Sequence, residues 1–430
     1  MGQFRMEQEL LHIPEGVRDI YDTECARKRM IQERMHGVME LYGFKDIQTP
    51  MFEFFNVFNR ERGTVSSKNM FKFIDRDGST LVLRPDITPP IARCVAKYYA
   101  EEEFPIRLCY IGDTFVNTDS YQGKLRETTQ LGVELINDSS VDADAEMIAL
   151  VIDSLLQAGL SEFQVEIGHA DYFNGLVEEA GLNQEEAEEL RSLIERKNIF
   201  GVEEMVGRKE ISDDLKELFR RLPEMFGNME SLTEIKSKTQ NERARKAIER
   251  LEKLYDILAS YGFQSYITVD LGMLSKYNYY TGIIFRAYTY GTGDAIVTGG
   301  RYDNLLEQFG KQAPSIGFAV VIDQLMAALS RQKAGLPPEE PMTMILYRSQ
   351  DRKIAIDLGN QFRAQGIKIE LVRMSRERSL KEYMEYAART GAGGILFLED
   401  SDTIQVIDLA TGEANVAKIS EILKLQEDAT

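Results

Sequence analysis

Apolar residues recur at the helical interval in two stretches near the start of the chain. The first runs from Cys25 to Leu41 and is followed by Gly43, a residue type that commonly ends helices. The second runs from about Asp144 to Ala158 and is followed by another glycine. The spacing therefore predicts a helix in each stretch, with one face of each buried.

Between these two helices the apolar residues fall into short stretches typical of strands. Candidate strands are KDIQTP, FKFIDRD, STLVLRPD and IRLCYIGDTF, and the Asp77–Gly78 pair predicts a hairpin. One more helix is predicted for TPPIARCVAKYYAEE, opened by its two prolines. Residues 1–170 are thus expected to form the first part of a mixed or mainly antiparallel sheet covered by helices, an α+β fold.

Four further segments follow this first part, each with its own pattern. Acid-rich helical periods dominate residues 171–262, which we interpret as a helical insertion. Strand patterns resume in residues 263–330, so these are expected to complete the first sheet. Residues 331–341 are rich in proline and charge and predict a linker. Residues 342–430 alternate strand and helix patterns and predict a small separate α/β domain.

Composition and charge exclude several classes of protein. The 430 residues carry a formal net charge of −19, which opposes binding to a phosphate backbone. No apolar run approaches the ~18 to 20 residues of a membrane helix, and we place the protein in the cytoplasm. The three cysteines and the three histidines are scattered along the chain, so neither a disulfide framework nor a metal site is predicted, and no cofactor is expected.

One predicted strand offers hydrogen-bond acceptors on a single face. Side chains alternate along a strand, so Gln130, Gly132 and Glu134 share one side. A glycine between an amide and a carboxylate leaves a gap that suits an ammonium group. The other interpretation is a solvated strand face with an incidental glycine, and the strand alone leaves both open.

A second unusual region runs from Tyr279 and Tyr280 to Gly299, Gly300 and Arg301. The tyrosines supply aromatic walls with polar tips, and the glycines permit close backbone approach. Neither a Walker P-loop nor a dinucleotide-binding pattern is present. The region predicts either a ligand-binding wall or a twisted hairpin with half-buried tyrosines.

Six stretches together resemble histidyl-tRNA synthetase in order and approximate spacing. They are IPEGVRDIYDTECARKRM, YGFKDIQTPMFE, LRPDITPPIAR, the YIGDTF and QLGVEL pair, TGGRYDNLLEQFG and PSIGFAV. The resemblance covers nearly the whole chain. It implies a class II aminoacyl-tRNA synthetase-like antiparallel sheet flanked by helices, a helical insertion and a C-terminal anticodon-binding-like α/β domain.

The resemblance also shows where the chemistry of the synthetase is missing. Three positions at which that family has arginine are occupied here by Val116, Ser275 and Gln324. Removing one preorganised group that stabilises transition-state charge typically costs roughly 10² to 10³ in rate. Even two such losses would leave little adenylation, so the resemblance implies no catalytic residue in this chain.

The same losses are typical of another family with this fold, the regulatory subunits of ATP phosphoribosyltransferase. The stretches YYTGIIF and GGRYDNLLEQFG resemble that family. The resemblance implies a homodimer within a hetero-oligomer that contains a short-form catalytic subunit. That partner would carry the catalytic residues, whereas this chain would enable its activity and its feedback control by histidine in the first step of histidine biosynthesis.

The resemblance further implies a histidine site in place of the amino-acid pocket of the synthetase. Its residues would be Asp86, Thr88, Gln130, Gly132, Glu134, Tyr279, Tyr280, Gly299, Gly300 and Arg301. Two alternatives remain open: a divergent histidyl-tRNA synthetase, and a synthetase-like module that binds another small molecule outside histidine biosynthesis. Binding of tRNA is not expected, because acidic residues outnumber basic ones across residues 342–430 as well as overall.

Overall fold

The computed structural model describes residues 11–58, 65–118, 124–227, 230–274, 280–334, 341–400 and 402–420. The chain divides into two compact units, Met1–Gly335 and Leu336–Thr430. Among the described residues, no helix combines the length and apolar character that a bilayer crossing requires.

The first unit combines helices with two sheets. Its helices are α1 (Asp22–Leu41), α2 (Thr88–Tyr98), α3 (Val141–Gln157), α4 (Ala170–Glu179), α5 (Gln184–Glu195), α6 (Ile199–Gly207), α7 (Asp213–Arg221), α8 (Glu230–Lys238), α9 (Glu242–Ser260) and α10 (Ile322–Arg331). Its strands are β1 (Lys45–Asp46), β2 (Phe52–Phe54), β3 (Lys72–Ile74), β4 (Thr80–Leu83), β5 (Ile106–Phe115), β6 (Glu127–Ile136), β7 (Phe163–His169), β8 (Phe226–Gly227), β9 (Ile267–Asp270), β10 (Ile283–Thr289), β11 (Val297–Arg301) and β12 (Ser315–Val321).

The main sheet has the strand order β1-β5-β6-β12-β11-β10-β7-β9-β8. Its central neighbours pair antiparallel, whereas β1 pairs with β5 and β7 with β9 in parallel. Strands β10, β11 and β12 from residues 263–330 thus lie between β6 and β7 from residues 1–170. A separate small sheet has the order β2-β4-β3, and the Asp77–Gly78 turn joins two of its strands, with Gly78 in the left-handed region.

Helix α3 lies in the core of this unit. Ser140 caps it by accepting a hydrogen bond from the backbone N–H of Ala143, and Asp142 and Asp144 lie in the first turn, where the helix dipole favours negative charge. Most of its side chains are buried, because α1 and α9 pack on it and it contacts β12 of the sheet. The helix ends before Gly159, which adopts a left-handed φ of 93°.

Residues 171–262 fold mainly as helices, several of them with side-chain caps. Asn183 and Ser212 accept hydrogen bonds from backbone N–H groups at the starts of α5 and α7. The short strand β8 also lies in this segment, where it extends the main sheet by pairing with β9. A strand of two residues is too short to show a hydrophobic period, so it was not predicted.

The second unit contains one mixed five-stranded sheet in its described part. Its elements are β13 (Met342–Tyr347), α11 (Arg352–Ala364), β14 (Ile369–Arg373), α12 (Leu380–Arg389), β15 (Ala392–Leu398), β16 (Thr403–Asp408) and β17 (Ala414–Lys418). Strand β13 pairs in parallel with both β14 and β15, and the hairpins to β16 and β17 are antiparallel. Apolar clusters that involve α11 and α12 bury the sheet.

Candidate functional site

A cavity of about 170 Å³ opens on the main sheet where β6 and β12 run side by side. Five of the side chains predicted from the sequence line it: Asp86, Thr88, Gln130, Glu134 and Tyr280. They come from the loop before α2 and its first residue, from β6 and from the segment before β10. The fold therefore brings together residues that are up to 194 positions apart.

Glu134 lies at the base of this cavity. Its side chain is buried, and the hydroxyl groups of Thr88 and Tyr302 donate hydrogen bonds to its two carboxylate oxygens, the first at 2.7 Å. The pKa of Glu134 is raised to about 8, chiefly by burial and also by the nearby Asp86, although both hydrogen bonds favour the charged form. The carboxyl group is thus held in place, but no described residue gives it a positive partner.

Gly317 on β12 makes room for this carboxyl group. It is paired with Glu134 in the sheet register, and a Cβ atom at Gly317 would lie 1.8 Å from Oε2 of Glu134. Any other residue would displace the carboxyl group from its two hydroxyl donors. The need for glycine here follows from cross-strand pairing, which the sequence alone did not reveal.

The remaining residues of the β6 face complete the wall. Gly132 pairs with Tyr110 of β5, and a Cβ atom at Gly132 would lie 2.5 Å from the Tyr110 hydroxyl oxygen. The side-chain oxygen of Gln130 is buried and accepts no hydrogen bond from the residues that the structure describes. Gln130 lines the cavity, so a small rotation of its side chain would bring this acceptor to a ligand N–H group.

The aromatic wall is contributed by Tyr280, whose ring packs over Gly300 of β11. A Cβ atom at Gly300 would lie 2.7 Å from two ring carbons of this tyrosine. Gly299 points to the opposite face of the strand, where it contacts the ring of Phe285. Tyr279 lies outside the described residues.

Arg301 does not line this cavity. Its buried guanidinium group donates to Oδ1 of Asp144 at 2.6 and 2.9 Å and to the carbonyl oxygen of Asp138 at 2.8 Å. Asp144 also binds Arg250 through its other oxygen. Burial raises the pKa of Asp144, and the two guanidinium groups oppose that rise. Arg301 therefore fixes the first turn of α3 to β11, beside a separate cleft of about 1010 Å³.

The positions without the expected arginines hold uncharged side chains. Val116 follows β5, and its backbone N–H donates to the carbonyl oxygen of Arg126 at 2.8 Å. Gln324 lies in the first turn of α10, and its neighbour Asp323 accepts from the backbone N–H of Thr129. Ser275 lies outside the described residues. Among those described, no lysine or arginine lines the cavity.

The arrangement can hold a cation but has little to offer a phosphate group. Two carboxyl groups, the side chain of Gln130 and hydroxyl groups line a small space beside an aromatic ring. Transfer of a phosphoryl or adenylyl group needs positive charge where negative charge develops. The cavity is therefore suited to recognising an amine. Tyr302 and Gly317 belong to this site but were not identified from the sequence, because their roles depend on packing between strands.

Comparison with protein families places the chain close to two groups of proteins. A family model described as histidyl-tRNA synthetase matches residues 16–325. An ATP phosphoribosyltransferase regulatory subunit from Acetivibrio thermocellus is 41% identical over 97% of this chain and 100% of its own length. One from Ruminiclostridium cellulolyticum is 39% identical over 98% of this chain and 100% of its length.

Solved structures give the same result at the level of fold. A protein from Bacillus halodurans, described as an ATP phosphoribosyltransferase regulatory subunit/histidyl-tRNA synthetase, superposes with a TM-score of 0.80 at 35% identity, covering 88% of this chain and 96% of that one. Histidyl-tRNA synthetase from a Nostoc species has a TM-score of 0.80 at 18% identity, covering 97% and 99%. The predicted synthetase-like α+β fold with a C-terminal α/β domain is confirmed.

Proposed function

Because the chain belongs to the family of ATP phosphoribosyltransferase regulatory subunits, we propose that it is the non-catalytic subunit of such an enzyme in histidine biosynthesis. In this role it would assemble with a short catalytic subunit, enable that subunit to join ATP to phosphoribosyl pyrophosphate, and make the reaction sensitive to histidine. The cytoplasmic location expected from the sequence is part of the proposal.

The charge of the cavity carries this proposal. Its described lining holds the carboxyl groups of Asp86 and Glu134 but no lysine or arginine, and Val116 occupies a position at which the synthetases have a catalytic arginine. A site of this kind lacks the positive charge that ATP activation requires. It retains the acceptors that recognise an amine, which supports a sensing role and argues against adenylation.

Histidine is the ligand that we propose for this cavity. Its ammonium group would be bound by Glu134, Asp86 and the free oxygen of Gln130, while the ring of Tyr280, together with Tyr279, would lie against its imidazole. The ammonium group would supply a positive partner for the buried carboxyl group of Glu134, which has none among the described residues. Gly132 and Gly300 leave the space that this requires, whereas Arg301 would act indirectly by holding β11.

The proposed assembly is a homodimer of this chain within a hetero-oligomer. The catalytic residues would lie on the partner, since the described cavity contains none that could replace the missing arginines. Binding of tRNA is not part of the proposal, because the net charge of −19 disfavours contact with a phosphate backbone.

Co-assembly with the short transferase subunit of the same organism tests the proposal. The two purified chains are mixed, separated by size and assayed for phosphoribosyl transfer with and without histidine. We expect one complex, activity that depends on this chain, and inhibition by histidine. A partner that shows no binding and an unchanged rate would overturn the proposal.

The synthetase alternative is favoured by one observation, the match of the histidyl-tRNA synthetase family model to residues 16–325. It predicts that the pure chain exchanges pyrophosphate with ATP in the presence of histidine. We expect no exchange above that of a Glu134→Gln variant. Exchange that this substitution abolishes would establish adenylation and replace our proposal.

A further inference from the structure

Three side chains of metal-binding type meet on the first unit, away from the cavity around Glu134. They are His36 of α1, Asp46 of β1 and Cys109 of β5. Nε2 of His36 lies 2.7 Å from Oδ1 of Asp46, and Sγ of Cys109 lies 3.6 Å from the same oxygen. All three atoms lie within 4.8 Å of one another.

The fold, and not local sequence, creates this cluster. Strand β1 pairs in parallel with β5 so that Asp46 is directly opposite Cys109. Cys109 is fully buried, the His36 side chain is 24% exposed, and that of Asp46 is 71% exposed. The cluster therefore has a rigid inner side at the thiol and an outer side that ions can reach.

The second ring nitrogen of His36 also faces a carboxylate. Nδ1 lies 3.9 Å from Oε2 of Glu40, one helical turn further along α1. Histidines that bind metals usually donate the N–H of their other nitrogen to a carboxylate or carbonyl group, which orients the ring. Glu40 is placed to take this part if Nε2 binds a metal ion.

We propose that His36, Asp46 and Cys109 form a binding site for a divalent transition metal ion of the Zn²⁺ class. Imidazole nitrogen, thiolate sulfur and carboxylate oxygen suit Zn²⁺ or Co²⁺, whereas Mg²⁺ and Ca²⁺ select oxygen ligands. Nε2, Oδ1 and Sγ each form one bond to the ion, water takes the fourth position, and the thiol proton is released to solvent.

Two of the three separations between ligand atoms are close to those around a bound ion, and the third, between Nε2 of His36 and Sγ of Cys109, is at most 4.8 Å. Tetrahedral Zn²⁺ with bonds of about 2.0 to 2.3 Å separates its ligand atoms by roughly 3.3 to 3.8 Å. The contact between Sγ of Cys109 and Oδ1 already falls in this range, and the contact between Nε2 and Oδ1 must lengthen from 2.7 Å. The exposed side chain of Asp46 can make this movement without disturbing the core.

Titration of the untagged, chelator-treated full chain with Co²⁺ tests the site. Thiolate bound to Co²⁺ gives a charge-transfer band in the near ultraviolet, and d–d bands report tetrahedral geometry. We expect one equivalent to saturate both signals and Zn²⁺ to abolish them by displacement. Glu40→Gln is expected to weaken binding by about 10- to 100-fold, because it removes the carboxylate that orients His36.

Variants separate the proposed site from adventitious binding. Cys109→Ser should remove the charge-transfer band, and Asp46→Asn, at an exposed position that leaves folding intact, should weaken binding at least tenfold. Cys94→Ser is the matched control and should bind as the unmodified chain does. Absence of the band, or a band that persists with unchanged affinity in Asp46→Asn, would overturn the proposal. None of these results depends on histidine binding or on the partner subunit.

Discussion

The buried carboxyl group of Glu134 makes the stability of the first unit depend on pH. Its pKa rises from 4.5 in the unfolded chain to about 8 in the folded protein, chiefly through burial. Between these two values the folded state holds a proton that the unfolded state has released. The free energy of unfolding should therefore fall as pH rises from about 4.5 to about 8, and then level off.

The size of this effect follows from the shift in pKa. Each pKa unit corresponds to about 1.36 kcal/mol, so ionising Glu134 in the folded protein costs roughly 5 kcal/mol. Glu134→Gln keeps the shape of the side chain and can still bond to Thr88 and Tyr302, but it cannot ionise. The variant should therefore gain stability relative to the unmodified chain by up to about 1.4 kcal/mol per pH unit across this range.

Urea denaturation of both proteins from pH 5 to pH 8 measures this difference directly. Taking the difference between the two proteins removes the contributions of other ionising groups. Glu127→Gln, the same substitution at an exposed position of β6, is the matched control and should change stability by less than about 0.5 kcal/mol throughout. A difference between Glu134→Gln and the unmodified chain that does not vary with pH would refute the reasoning.

Three further predictions concern the same unit. Binding of histidine at pH 7 should release between about half a proton and one proton, because the ammonium group lowers the pKa of Glu134. Calorimetry in two buffers of different ionisation enthalpy measures this release, and Glu134→Gln should abolish it. Gly317→Ala should destabilise the protein by about 1 to 3 kcal/mol and weaken histidine binding, since its Cβ atom would lie 1.8 Å from Oε2 of Glu134. Gly37→Ala, in open space on α1, is the control and should stabilise the protein by about 0.5 to 1 kcal/mol in the same urea assay. Arg301→Met should destabilise the protein by about 3 to 5 kcal/mol, because it leaves the buried carboxylate of Asp144 without one of its two guanidinium partners. Arg208→Ala, which breaks an exposed ion pair, should cost less than about 1 kcal/mol. Equal losses in the two variants would contradict this account.

Features that depend on the spacing of residues within one helix or strand were predicted from the sequence. The periodic apolar face of α3 predicted a helix from about Asp144, and the structure begins it at Val141, where Ser140 supplies the cap. The alternation along β6 put Gln130 and Glu134 on one face, and both line the cavity. In each case spacing along one element carries the information, so no knowledge of neighbouring elements was needed.

Features that depend on pairing between distant strands could not be predicted in this way. Gly317 and Tyr302 contact Glu134 only because β12 is the neighbour of β6 and because the chain after β11 returns to the same face. Arg301 directly follows Gly300 in the sequence, yet its side chain lies on the other face of β11, away from the cavity, and binds Asp144. Alternation along a strand separates such neighbours, but the sequence does not reveal which side faces the cavity.

The dependence of histidine inhibition on Glu134 is the most direct test of the central claim. Initial rates of phosphoribosyl transfer are measured for the short catalytic subunit combined with either the unmodified chain or Glu134→Gln, at increasing histidine. The account predicts that both combinations are active without histidine and that only the unmodified chain gives strong inhibition. Equal inhibition in both combinations, or activity that needs neither form of this chain, would contradict it.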